Sequence, residues 1–390
     1  MQNSTTDRLF SREFAILCIS AMVFFVAMGA SSPLLPKFVV DELHSTKLIA
    51  GFVVGSVAVS SLCLRSWFGR LGGQRGSRLL IISGCLLGSF GMAVMIMPSN
   101  IPLTVAGRLF VGAGQAAMMT GATVLAIDLA PSHRRVEGAS YVMVAFHLGL
   151  GIGPVIGEAV LRLSSYRIVW LTLTLLLLAA AAVAFCLPHR GGHPDAPRSP
   201  WVHPSGIAPG LVASFGVIAF VSFSFMVPLY GREIGMNEVG LVFTVASISI
   251  ALARLFMSRL PDRVGPIVAG TIAISLTLCG ALVAAFWSSI AGVYVAGGIM
   301  AAGMALQVPA LIPAVIEAVK EHDRSSAMAT FTMFIDFSVA ITAPIFGFLV
   351  TSIGYRSSFL ISASTSGVAL VLLHVVLSPR WTVAIHHRTV

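Results

Sequence analysis

The sequence predicts an all-α membrane protein with twelve transmembrane helices in two pseudo-symmetric halves of six. Three observations predict it. Apolar residues make up 57% of the 390-residue chain and charged residues only 10%, against about 25% charged in soluble domains. So few charges would leave a soluble fold with large exposed apolar patches. Apolar runs approaching the roughly 20 residues that cross a bilayer core occur twelve times. Finally, Arg65 is followed by Arg70-Leu71 and Gly76, and Arg254 by Arg259-Leu260 and Gly265, the same spacing 189 residues later. Such recurrence marks a duplicated half-molecule.

The elements follow in order. The polar start, Met1 to Glu13, gives way at Phe14 to an apolar run too long for a cleavable signal and followed by further spans, so the first helix is retained. The first-half spans read as 14–40, 48–68, 79–97, 101–127, 137–160 and 168–187. The stretch from Pro188 to Pro200, rich in Pro, Gly and His, cannot span and reads as a linker, placing the halves at 1–187 and 208–390 with a cytoplasmic connection over 188–207. The second-half spans read as 208–230, 237–258, 264–286, 288–319, 327–351 and 357–378. The repeat extends into them. Arg134 precedes Pro154, Gly157, Tyr166 and Arg167, while Arg324 precedes Pro344, Gly347, Tyr355 and Arg356 in the same order.

Charge gives the orientation. With both termini in the cytoplasm, fifteen Lys and Arg fall on cytoplasmic segments and six on the opposite side, among them Lys37 and Lys47. That bias supports an even number of spans with cytoplasmic ends. The net charge of +9 is spread over short loops rather than gathered in a basic domain, which argues against nucleic acid. The five cysteines lie inside apolar runs without paired spacing, indicating neither a disulfide framework nor a metal site. No catalytic constellation or cofactor motif is present, so the chain does not read as an enzyme.

Three motifs carry a family resemblance. The loop after the second span reads Gly69-Arg70-Leu71-Gly72-Gly73-Gln74-Arg75-Gly76-Ser77-Arg78, and its repeat keeps Asp262 and Arg263 before Gly265. The fourth span carries Arg108-Leu109-Phe110-Val111-Gly112-Ala113-Gly114-Gln115-Ala116. The fifth carries Gly149-Leu150-Gly151-Ile152-Gly153-Pro154-Val155-Ile156-Gly157-Glu158. Together these resemble the major facilitator superfamily over all twelve spans, with the fifth-span motif tilting towards its drug/proton antiporter-like exporters. The resemblance implies alternating access around a central cavity. It also implies a cytoplasmic gate at the loops with Arg70, Gly76, Asp262, Arg263 and Gly265; the matched repeat positions of Arg65 and Arg254 add them to it, against the alternative of snorkelling anchors, with Asp128 and Glu317 as partners. Gly73 and Gln74 stand where the family has Asp and Arg, so gating is expected to lean on the second-half loop. Glu158 stands where the fifth-span motif ends in Gly.

Charges inside a membrane are costly and usually functional. Arg108 reads as a pathway cation that attracts an anionic group or depresses a carboxylate pKa, against the alternative of a structural Arg on backbone carbonyls. Gln115, seven residues on, shares its face, and Gln307 lies near the repeat-related position. An interhelical hydrogen bond is the competing role for either. Asp336, Glu158 and His147 are the proton-coupling candidates, against structural pairing, snorkelling and packing respectively. Phe25 and Met28 in the first span, and Phe225 in the seventh, supply apolar bulk for a substrate pathway, although such residues also pack helices. No acid lies between Phe14 and Val40, where the family's exporters often have one.

The expected activity is therefore proton-coupled efflux of a small organic molecule, a drug or metabolite, by a monomer in the cell membrane. The expected partners are that solute, protons and membrane lipid. An importing sugar or organic-acid symporter is the nearest alternative, and a non-transporting receptor or scaffold the alternative from another class.

Overall fold

The computed structural model describes residues 11–97, 100–131, 134–188, 203–236, 238–257, 260–316, 319 and 324–377. Among these residues every regular element is helical: α1 (Arg12–Asp41), α2 (Lys47–Arg75), α3 (Ser77–Val94), α4 (Ile101–Leu129), α5 (Arg135–Leu163) and α6 (Tyr166–Ala184), then α7 (Pro204–Glu233), α8 (Gly240–Met257), the short α9 (Leu260–Val264), α10 (Pro266–Phe286), α11 (Ile290–Ile316) and α12 (Arg324–Leu372), with a π turn over Leu373–Leu377.

Among the described residues eleven helices are long and apolar enough to cross a membrane. The last of these runs for 48 residues over Thr330–Leu377, or about 72 Å at 1.5 Å per residue. That is more than twice a hydrocarbon core of about 30 Å. It is broken at Gly354, whose φ of 77° no continuous helix tolerates. The two arms, 324–353 and 355–372, are thus the two crossings expected over 327–351 and 357–378. Local chemistry sets other ends. Ser11 Oγ accepts from the Phe14 amide at 3.2 Å to start α1, and Asn100 Oδ1 accepts from the Leu103 amide at 2.8 Å to start α4. Pro204 opens α7 behind the His203 cap, where its missing N–H costs nothing.

The duplication is visible in the backbone. Gly76 precedes α3 with φ 91° and ψ 154°, and Gly265 precedes α10 with φ 82° and ψ 158°. Each glycine amide donates four residues back, Gly76 to Gly72 at 2.9 Å and Gly265 to Pro261 at 3.0 Å. Only glycine adopts that conformation without strain, which explains these two landmarks of the repeat.

The chain clusters into two compact units. One comprises Met1–His44 and Ser56–Pro197, the other Ser45–Gly55 and Arg198–Val390. In the first, α5 lies along α1 at backbone distance. A Cβ on Gly149 would meet the backbone of Met22 and Phe25, and one on Gly153 the backbone of Val26 and Ala30. Between helices in a membrane, where burial from water offers no drive, such close van der Waals contact is what holds them together. In the second unit α7 lies along α12 in the same manner, with Gly206 against Ala327 and Gly210 against Phe334. Its core gathers Val212, Ile274, Leu311, Phe331 and Leu373. The first turns of α2 also belong to this unit, where Gly51 faces the backbone of Ala343.

Candidate functional site

In the first unit the polar groups centre on α1, α4 and α5. Arg108 is buried within α4, 7% exposed. Its guanidinium reaches Ser31 Oγ of α1 at 3.4 Å, long for a hydrogen bond. The Ser31 hydroxyl donates to the Met28 carbonyl at 2.8 Å, so only its lone pairs face the arginine. Arg108 Nε has no hydrogen-bond partner, and no acidic side chain forms an ion pair with Arg108 among the described residues. Gln115 is half-buried on the same helix.

Glu158 of α5 forms an ion pair with Lys37 of α1 at 2.8 Å, each side chain 9% exposed. The loop tally had set Lys37 on the external side. It lies within the last turns of α1 and is buried, where α5 supplies the carboxylate that a cation in an apolar helix needs. The signal was present in the sequence: an acid replaces the final Gly of the fifth-span motif, and a single Lys interrupts the first span. His147 is half-buried, and its Nδ1 donates to the Met143 carbonyl at 2.7 Å, one turn back in its own helix. Phe25 is buried and stacks on Phe146 with centroids 4.3 Å apart, and Met28 is 7% exposed.

In the second unit Gln307 is fully buried, and its Nε2 donates to the Ala213 carbonyl at 3.0 Å, bonding α11 to α7. Phe225 is buried in α7. Asp336 lies near the middle of the first arm of α12 and is half-buried. A further cluster had no sequence signal. Lys47 pairs with Glu233 at 2.9 Å and sits 4.6 Å from the centroid of the Tyr355 ring. Tyr166, the repeat counterpart of Tyr355, donates its hydroxyl to Asp41 Oδ2 at 3.2 Å within the first unit. Each landmark tyrosine thus serves a charged residue at the loop end of an early helix.

The residues expected to form a gate divide. Arg65 is half-buried, with a guanidinium nitrogen 4.0 Å from Met119 Sδ. Arg254 is half-buried with an unpartnered Nε, while Asp128 and Arg263 are exposed. Arg70 lies in α2 and Asp262 in α9, with side chains outside the description, and Glu317 falls outside the described residues altogether. Two cavities, of about 290 and 660 Å³, occur in the first unit. Neither is lined by Arg108, Gln115, Phe25 or Met28.

Helices that cross a membrane many times, with a repeated glycine-ended loop and a buried ion pair inside the first unit, define a multi-pass membrane protein of repeat-built architecture. The Major Facilitator Superfamily model matches residues 17–290 and again 234–387, and the chain belongs to that superfamily; it is a membrane transporter, not an enzyme. It is 28% identical over 391 aligned residues to an uncharacterized MFS-type transporter of Salmonella typhimurium, covering 96% of this chain and 98% of the relative. It is 25% identical over 370 residues to the uncharacterized MFS-type transporter YhhS of Escherichia coli, covering 89% and 88%. Among solved structures, the human organic anion transporter MFSD10 aligns with a TM-score of 0.71 at 16% identity, over 93% of this chain and 99% of that one. A POT family transporter in complex with 5-aminolevulinic acid aligns with a TM-score of 0.79 at 13% identity, over 96% and 97%. These likenesses establish the fold.

Proposed function

We infer that the protein exports a small organic molecule in exchange for protons, by alternating access of its halves, 1–187 and 208–390, joined by a cytoplasmic linker over 188–207. The observation that carries this reading is Arg108, a buried cation within a membrane span that makes one weak hydrogen bond and no ion pair among the described residues. An uncompensated charge there is expensive unless it serves a ligand or a proton relay. Arg108 and Gln115 are assigned to the solute and to control of carboxylate protonation, with Phe25 and Met28 in the first unit and Phe225 and Gln307 in the second as further pathway positions. Asp336 is the principal proton carrier. Glu158 is second, since protonating it must first separate it from Lys37. His147 is the third candidate, its Nδ1 already engaged.

Orientation follows from the excess of Lys and Arg on one side, with both termini in the cytoplasm and the protein in the inner membrane as a monomer. The fifth-span glycines Gly149, Gly153 and Gly157 hold α5 on α1 and so position Glu158, with Pro154 inside the same helix. The repeated arginine-bearing loops, with Arg65, Arg70, Gly76 and Asp128 in one half and Arg254, Asp262, Arg263, Gly265 and Glu317 in the other, form the cytoplasmic gate.

The test uses everted membrane vesicles with a fluorescent pH probe and a panel of amphipathic dyes, anionic and cationic. The wild type is expected to release protons when a transported dye is added. Asp336→Asn is expected to lose that response at unchanged protein level. Full proton-coupled flux in the variant would overturn the role of Asp336.

A further inference from the structure

The larger cavity is a groove, about 660 Å³, whose lining residues all come from α2, α3 and α4 of the first unit. Its walls are almost wholly apolar. Trp67, Leu79, Leu109 and Phe110 on its flanks are 40% exposed or more. The two serines that line it carry no free donor into it: Ser60 donates to the Leu109 carbonyl at 2.6 Å and Ser83 to the Leu80 carbonyl at 3.1 Å. The Ser60 bond also ties α2 to α4 at one end of the groove, where Val57 backs onto Gly112. At the other end the groove is lined by Arg75, the exposed last residue of α2.

Length and charge narrow the occupant. From Ser60 to Arg75 the groove follows fifteen residues of helix, about 22 Å at 1.5 Å per residue. A single leaflet contributes about 15 Å of a 30 Å hydrocarbon core. A groove of that length matches one leaflet together with its headgroup layer. The chain that lines the Arg75 end is basic. Arg70, Arg75 and Arg78 fall within nine residues, and the sequence holds no acidic residue between Glu42 and Asp128. Arg78 is already engaged, donating to the Phe185 carbonyl at 2.6 Å, while Arg75 itself lines the groove.

We propose that this groove is a binding site for one anionic glycerophospholipid from the arginine-rich leaflet, an acyl chain lying between α2, α3 and α4 and the phosphate meeting Arg75. Planar guanidinium suits phosphate, which it binds through paired N–H donors. A basic residue at a membrane surface favours anionic lipid by about fivefold.

The experiment is native mass spectrometry of the full-length protein, delipidated in detergent and then given equal amounts of dioleoyl phosphatidylglycerol and dioleoyl phosphatidylcholine. The wild type is expected to retain one phosphatidylglycerol in preference to phosphatidylcholine. Arg75→Gln, at an exposed position, is expected to lower phosphatidylglycerol retention about fivefold, to the level of phosphatidylcholine. Ser83→Phe, which fills the floor of the groove, is expected to lower retention of both lipids. Phe110→Ser on the exposed wall does the same without loading the interior. Equal retention of the two lipids by the wild type overturns the proposal. So does unchanged phosphatidylglycerol retention in Arg75→Gln, or unchanged retention of both lipids in Ser83→Phe and Phe110→Ser.

Discussion

Replacing Lys37 by methionine is expected to destabilise the protein by about 3–5 kcal/mol, the usual cost of leaving one partner of a buried ion pair uncompensated. The effect is large because both side chains are only 9% exposed and Glu158 sits 2.8 Å from the ammonium. Methionine preserves the length of the lysine stem, so the loss reports charge rather than volume. Thermal unfolding of the purified protein, followed by size-exclusion chromatography after heating, is the measurement. The double variant Lys37→Met with Glu158→Leu separates pairing from packing. Removing both charges is expected to recover most of the loss, because apolar replacement of a buried pair is often neutral or stabilising. A single variant as stable as the wild type would show that the pair contributes nothing.

The second large effect is steric. Gly153→Val places a β-branched side chain where even a Cβ would meet the Val26 carbonyl oxygen and the Ala30 amide nitrogen of α1. Neither neighbour is a side chain that swings away, so α1 and α5 must separate over the segment that carries Gly149 and Gly157. Overpacking of this kind costs about 1–3 kcal/mol, and more where backbone blocks relaxation. Yield of monodisperse protein is expected to fall sharply. Gly69→Ala is the control, because a Cβ there meets nothing within 4 Å. Equal yields of the two variants would mean that α5 does not rest on α1 through these glycines.

Both results bear on what the sequence discloses. Hydropathy over about 20 residues marks a span whatever its neighbours, so the spans were legible, including the break that falls at Gly354. Gly76 and Gly265 were legible as landmarks because a required φ leaves glycine no substitute. Side-chain partners were not. Lys37 reads as an external charge as long as it is counted by its distance from the end of a span. Its burial depends on α5 lying along α1, which no local pattern states. Lys47, Glu233 and Tyr355 are separated by more than a hundred residues and carry no shared motif. The fifth-span glycines suggested an antiporter motif through family resemblance, and the structure supplies their physical role as the contact surface for α1. Gln307 was legible as a polar group in a span, but not its partner: its amide bonds α11 to α7.

The central claim is that solute leaves the cell in exchange for protons. Its most direct test is flux in proteoliposomes of purified protein under an imposed pH gradient, with sidedness fixed by protease accessibility of the 188–207 linker. With the periplasmic face acidic, dye is expected to move out of the compartment facing the linker, against its own gradient, and to stop when the pH gradient is collapsed. Dye movement that merely follows its concentration gradient, unchanged by the pH difference, would contradict the account.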